Sequence, residues 1–167
     1  MKIRNSQGAV LKVVSGNTLV GADLHGADLT GANLHEMDLH DANLSRANLY
    51  MANLRGANLT GADLSRADLH GVDLSRTYLT GADLYGARLA YITVNWQSRT
   101  LIGEILKRAA KGVVSKELLA SYIQTKTAWC WPEWLAFRHP AKKWALAELK
   151  KWVKEGDNAP EALRNRI

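Results

Sequence analysis

The sequence has a single cysteine, Cys130, among its 167 residues, which excludes an intramolecular disulfide framework. Its N-terminus shows no uninterrupted apolar run of signal-peptide length, and no stretch approaches the ~20 apolar residues of a membrane span. The expectation is a cytoplasmic protein in a reducing compartment. Charged residues make up only 23%, too few for a chain that stays unfolded, and 47% hydrophobic content is ordinary for a folded protein. The length suits one domain or two small ones.

Charge and composition are unevenly placed. Residues 1–16 carry Lys2, Arg4 and Lys12 and no acid, a balance of +3; residues 17–95 come to −4 and residues 96–167 to +7. All six tryptophans follow residue 95, whereas ten of the thirteen glycines precede it. This predicts two modules with a boundary near Trp96 and a basic second module.

The first module is a repeat. From Leu19 to Leu89 every fifth residue is Leu, fifteen in succession. Two places before most of them stands Ala (as at 22, 27, 42, 47, 57 and 62), and one place before stands Asp or Asn. Gly is frequent two places after. Five residues on an α-helix of ~3.6 per turn advance about 140° beyond a full turn, which would scatter the leucines around it. On a flat strand, an odd step sends successive leucines to opposite faces. A chain that bends once per repeat keeps them all on one side. Ala and Leu then point inward, Asp or Asn points outward, and the next two residues turn the corner. Repeated corners make a coil, and stacked coils make a solenoid. The inward set includes Leu24, Leu29, Leu34, Leu44, Leu49, Leu54, Leu59, Leu64 and Leu69.

This run resembles the pentapeptide-repeat proteins. The resemblance implies a right-handed quadrilateral β-helix, a β-solenoid of four repeats per coil. Residues 17–95 give about four coils, a stack ~20 Å tall at the ~4.8 Å spacing of paired strands. On four faces, Asp23, Asn43, Asp63 and Asp83 form one outward column, and Asp28, Asn48, Asp68 and Arg88 form its neighbour. Arg46 and Arg66 stack at a corner beside the first column, while His35, Arg55 and Arg76 lie around a third face. The fourth face departs from the motif, with Asn17, Met37 and Thr77 in place of inward Ala and Tyr78 in place of Asp or Asn.

Both ends of a solenoid need covering. The β-like Ala9–Val14 run after a polar turn makes residues 1–16 an N-terminal cap strand or hairpin, since the repeat frame carried back would bury Lys12. Residues 96–167 read as a small all-α domain. Ser98 caps a helix with Leu101, Ile102, Ile105, Leu106 and Ala109 on one face, stopped near Gly112. Ser115 caps a second, striped by Leu118, Leu119, Tyr122 and Ile123. A Trp129–Leu135 stretch follows. A last helix from about Pro140 to Gly156 has Trp144, Leu146, Leu149, Trp152 and Val153 inward and Lys142, Lys143, Lys150, Lys151 and Lys154 outward. Similar Trp-rich tails follow pentapeptide repeats in bacterial and phage proteins, a resemblance that carries no activity.

Motifs that carry chemistry are missing. There is no Walker loop, no G-x-G-x-x-G and no G-x-S-x-G elbow. In His35-Glu36-Met37-Asp38-Leu39-His40 the histidines are five apart rather than four and would not share a helix face. His25, His70 and His139 show no ligand spacing either. Cys130 among tryptophans reads as a buried, inert thiol. No metal, no cofactor and no catalytic residue is expected.

The function read here is a non-enzymatic interaction module that binds and modulates a macromolecular protein partner. Arg46, Arg66, Tyr78, Lys142, Lys143, Lys150 and Lys151 are the candidate contacts. The basic tail, with Trp as stacking platforms, is a second candidate, for nucleic acid. The same pattern is expected of an ordinary amphipathic helix with solvated lysines. The family resemblance adds a third reading, a dimeric DNA mimic that modulates type II topoisomerase (gyrase). A mimic should be long and strongly acidic, whereas this repeat is short and carries only −4. A homodimer, through the repeat or the helical domain, is compatible with the first and third readings.

Overall fold

A chain that must keep Leu inward at every fifth position has to reverse direction within each repeat, and the backbone does so at one fixed place. The computed structural model describes residues 1–93, 98–110, 113, 116, 120, 123, 138–153 and 159–164. They fall into two compact units, Met1–Asn95 and Trp96–Ile167.

In the first unit, a reverse turn follows each Leu, closed for example by the Ala27 N–H donating to the Leu24 carbonyl at 3.0 Å. The third residue of each turn has positive φ, the type II signature that favours glycine. Glycine fills many of these corners, but Glu36, Asp41, Arg46, Met51, Arg66, Arg76 and Tyr91 hold φ between 55° and 59°. Four corners complete a coil of twenty residues, so each outward residue bridges in parallel to the one twenty further on, from Asp23↔Asn43 to Asp73↔Thr93. The rungs are joined by regular backbone bonds, such as Leu44 N–H to Asp63 O at 2.8 Å and Asp63 N–H to Ala42 O at 3.0 Å. The interior is an unbroken stack. Leu24, Leu29, Leu39, Leu44, Leu49, Leu54, Leu59, Leu64 and Leu69 are 0% exposed, and Leu34 is 1%. Ala in the other inward column leaves room for the leucines across a narrow core. Val72, Ile92 and Thr77 replace it and are also buried. Thr77 satisfies its buried hydroxyl by donating to the Leu74 carbonyl at 2.7 Å.

Two positions on the fourth face differ from the motif frame. Asn17 is exposed and Met37 is half-buried. The regular turns begin only after Leu19, the first buried Leu, so no coil wall exists at Asn17 for its side chain to enter. Ahead of the coils, β1 (Lys2–Arg4) and β2 (Val10–Val13) form an antiparallel hairpin with Lys2 opposite Val13 and Ile3 opposite Lys12. The hairpin buries Ile3 and leaves Lys12 exposed. It joins the first coil where the Asn33 N–H donates to the Arg4 carbonyl at 2.8 Å.

In the second unit, the Ser98 Oγ accepts the Leu101 N–H at 3.2 Å and starts α1 (Arg99–Ala110). Leu101, Ile102, Ile105, Leu106 and Ala110 form its buried face, with Ala109 half-buried at the flank. α1 packs against α2 (Lys142–Lys150), which packs against α3 (Glu161–Arg164). The apolar stripe predicts a longer last helix, from about Pro140 to Gly156. The observed α2 begins at Lys142, with the His139 ring nitrogen accepting the Ala141 N–H, and the chain turns at Lys151 and Trp152. Its inward line is Ala145 and Leu149, one turn apart and fully buried. That line leaves Trp144, Leu146, Trp152 and Val153 half-buried on its flanks rather than inward. Ala120 and Ile123 are helical and buried. Apart from Lys116, the rest of the 115–135 segment, with Gly112 and Cys130, lies outside the described residues.

Leu54→Asp or Leu59→Asp places an unpaired charge between coils and should abolish cooperative melting of the first unit by circular dichroism, whereas Arg46→Ala should leave it unchanged. The corners give a finer test. A Cβ built at Gly61 collides with Asp41 Oδ1, whereas one at Gly21 meets nothing within 4 Å. Gly61→Ala should therefore cost more than Gly21→Ala in urea unfolding by no more than moving the Asp41 side chain requires, under about 1 kcal/mol, and adding Asp41→Gly should recover that difference.

Candidate functional site

The acidic column owes its chemistry to the turn beside it. At nearly every repeat the outward Asp or Asn accepts, through Oδ1, the N–H of the residue two places on. Examples are His25 N–H to Asp23 at 3.1 Å, Ser65 N–H to Asp63 at 2.8 Å and Tyr85 N–H to Asp83 at 2.8 Å. This local bond satisfies a backbone donor that the corner would otherwise leave to solvent. It also explains why Asp and Asn alternate freely in the column, because either supplies the oxygen. Between rungs, the Asn43 amide donates to Asp23 at 3.2 Å and the Asn58 amide to Asp38 at 3.0 Å. Arg88 pairs with Asp68 at 2.8 Å. Much of the negative charge is thus spread over neighbours on the same face. Asp63 and Asp83 are the exception, two carboxylates on consecutive rungs of one column.

Asp28 shows the electrostatic consequence. Its carboxylate accepts the Thr30 hydroxyl at 2.7 Å and the Thr30 N–H at 3.1 Å, and these bonds hold its pKa below the ordinary carboxylate value. The folded-state pKa is depressed, so the stabilisation is present at neutral pH and is lost as pH falls through it. Thr30→Val removes the larger cause and should raise the Asp28 pKa in an NMR titration.

Arg46 and Arg66 stand on consecutive rungs at one corner, both exposed, with φ of 57°. Neither has an ion-pair partner among the described residues. Side chains at corners lean toward the next coil: Arg66 Cγ comes within 3.2 Å of a Cβ built at Gly86, Met51 Sδ within 2.8 Å of one at Gly71, and Glu36 Cγ within 3.0 Å of one at Gly56. Two like charges are therefore held side by side on a rigid edge, above a backbone conformation that disfavours them.

At another edge of the first unit the structure assembles a group that the five-residue reading passes over. The Tyr50 and His70 rings stack with centroids 5.2 Å apart and planes 25° apart, and Tyr91 follows at 5.0 Å, tilted by 60°. Met51 lies at the same corner, 59% exposed. Tyr50 and His70 are twenty apart, so writing the sequence in rows of twenty aligns them. The signal was present but tied to the coil length rather than to the repeat length.

The other candidates are dispersed. Tyr78 is 65% exposed on the fourth face and bridges to Asn58. On α2, Lys143 is exposed and Lys142 and Lys150 are half-buried, and Lys151, in the turn that follows, is exposed. Lys151 pairs with Glu148 at 2.8 Å, and Lys116 places its ammonium 4.8 Å above the Trp144 ring. His35 and His40 sit at adjacent corners, each beside the carboxylate of its successor, Glu36 at 3.8 Å and Asp41 at 2.8 Å. Among the described residues no cluster of His, Cys, Asp or Glu could hold a metal ion, and no helix is long and apolar enough to cross a membrane.

The family model for Pentapeptide repeats matches residues 18–56 and 52–90, in eight copies. HetL of the cyanobacterium Nostoc sp. strain PCC 7120, a pentapeptide-repeat protein involved in heterocyst differentiation regulation, is 40% identical over 45% of this chain and 36% of its own, with a TM-score of 0.25. Rfr23 from the cyanobacterium Cyanothece 51142 is 30% identical over 55% of this chain and 76% of its own, with a TM-score of 0.34. QnrB1, a plasmid-mediated fluoroquinolone resistance protein, is 21% identical over 47% of this chain and 42% of its own, with a TM-score of 0.27. The chain thus spans about a third of the length of HetL. No curated protein matches it significantly. Pentapeptide-repeat proteins fold as right-handed quadrilateral β-helices, the architecture of the coils described above. Through residues 18–90 this chain belongs to the pentapeptide-repeat family.

Proposed function

We propose that the repeat unit is a non-enzymatic scaffold that binds and modulates a macromolecular protein partner, through the edge formed by Tyr50, Met51, His70 and Tyr91. The observation that carries this reading is the aromatic stack with an exposed methionine beside it. Exposed Tyr and Met have the composition of interface centres: Tyr buries large area at little cost in conformational entropy, and the flexible Met side chain adapts to the surface it meets. Arg46, Arg66 and Tyr78 are further contact residues on the same scaffold. The hairpin of residues 1–16 serves as its N-terminal cap, and residues 96–167 as a separate helical domain. Pentapeptide-repeat proteins are often protein-interaction modules, which agrees with the reading.

Two other functions draw less support. A DNA mimic acting on type II topoisomerase needs a concentrated acidic surface. Here one oxygen of each column Asp accepts a backbone N–H, and neutral Asn interrupts all four outward columns. Nucleic-acid binding by the tail would use Lys142, Lys143, Lys150 and Lys151, yet Lys151 is already engaged with Glu148 and Trp144 with Lys116.

The test is affinity capture from native lysate with nuclease present, comparing the parent with a Tyr50→Ala/Met51→Gly double variant. The double variant should melt like the parent, since Gly relieves the positive φ at residue 51. A protein retained by the parent and lost with the variant is the expected result. Recovery that collapses with nuclease, or with Lys143→Ala/Lys151→Ala, would move the function to the tail and its nucleic acid.

A further inference from the structure

We propose that the face carrying Leu24, Leu44, Leu64 and Leu84 is a self-complementary surface that pairs with the same face of a second copy of this chain, Arg46 and Arg66 of each copy meeting Asp63 and Asp83 of the other. The inference rests on Arg46 and Arg66 being contact residues and assigns their partner. It is independent of the aromatic edge.

On this face the outward column (Asp23, Asn43, Asp63, Asp83) precedes the Leu and the corner (Gly26, Arg46, Arg66, Gly86) follows it, so the acids and the two arginines flank the leucine line on opposite sides. A two-fold axis parallel to the coil axis exchanges the two sides and leaves the level along the axis unchanged. Acid column then opposes arginine corner, twice. The levels agree as well. Arg66 belongs to the Asp63 rung, but its Cγ lies against Gly86 of the next coil, which directs the side chain toward the Asp83 rung. Arg46 stands one rung below at the same corner, so the match repeats one rung down, with Asp63. Both ladders share one rung spacing because both come from the same solenoid, so two ion pairs form in register without adjustment.

The charges concerned are those left over. Arg46 and Arg66 have no ion-pair partner among the described residues. Asp63 and Asp83 each engage Oδ1 with a backbone N–H, and no bond to either Oδ2 is formed among the described residues. Between the two charged lines, His25 and Ser45 bond each other at 2.8 Å, and Tyr85, 66% exposed, offers apolar area beside Asp83. A face ~20 Å tall is smaller than the ~800 Å² per partner of a standard interface. The dimer is therefore concentration-dependent, and added salt dissociates it.

The test is sedimentation equilibrium of the full chain under reducing conditions, across a concentration series at low and high salt. Arg66→Glu and Asp83→Arg should each weaken dimerisation at least about tenfold, through like-charge contacts. Both changes have native precedents in this fold: Glu36 occupies a corner at φ 56°, and Arg88 stands in a carboxylate column. An equimolar mixture of the two variants should dimerise again, because every facing pair is then of opposite sign. A parent that stays monomeric up to its solubility limit overturns the proposal. So do variants that dimerise like the parent, or a mixture that fails to re-form the dimer. Capture of a partner by the Tyr50 edge is unaffected by any of these results.

Discussion

A turn that demands positive φ, recurring every five residues, is the constraint on which the rest depends. It fixes the four corners, and the corners fix which side chains face inward. Stacked Leu and Ala then remove apolar surface from water rung by rung, at roughly 25 cal/mol per Å² buried. The backbone bonds between coils follow from the same geometry, because twenty residues bring each outward residue over its counterpart. The Asp or Asn before each Leu completes the turn by accepting a corner N–H. Inward packing, rung bonding and turn chemistry are therefore one arrangement seen from three sides.

The corners also show where conformational strain has been tolerated. Seven carry side chains in a backbone region that favours glycine. Several of these lie beneath a glycine in the next coil: Glu36 under Gly56, Asp41 under Gly61, Met51 under Gly71 and Arg66 under Gly86. At these corners a side chain alternates with a bare position in the next coil. Arg46 followed by Arg66 breaks that alternation. It is the place where surface chemistry takes precedence over the economy of the turn.

How much of this was legible in the sequence depends on the length of the pattern. The inward line of leucines follows from a period of five, which neither a helix nor a flat strand can accommodate. The first helix of the tail was readable from Ser98 and its apolar stripe. The last was placed too long, because Trp152 and Val153 continue the stripe past the turn at Lys151. Tryptophan there is half covered rather than inward. The Tyr50–His70–Tyr91 stack was not read, since its members match only at the coil length, and Tyr91 departs even from that by one place. Side-chain lean at the corners has no sequence signal at all. It emerges only when one rung sits above another.

A coil of four equal sides makes the surface a matter of counting. Deleting twenty residues would shorten the stack by one rung and leave every later column on its own face. Deleting five would keep each Leu inside, so the core would scarcely notice. Yet every column after the deletion would move one face round, parting Arg46 from Arg66 and Tyr50 from His70. The interior is thus blind to changes that scramble the exterior. In such a fold, lineages can change length in small units at little risk to folding, while the display of side chains is inherited only in whole coils.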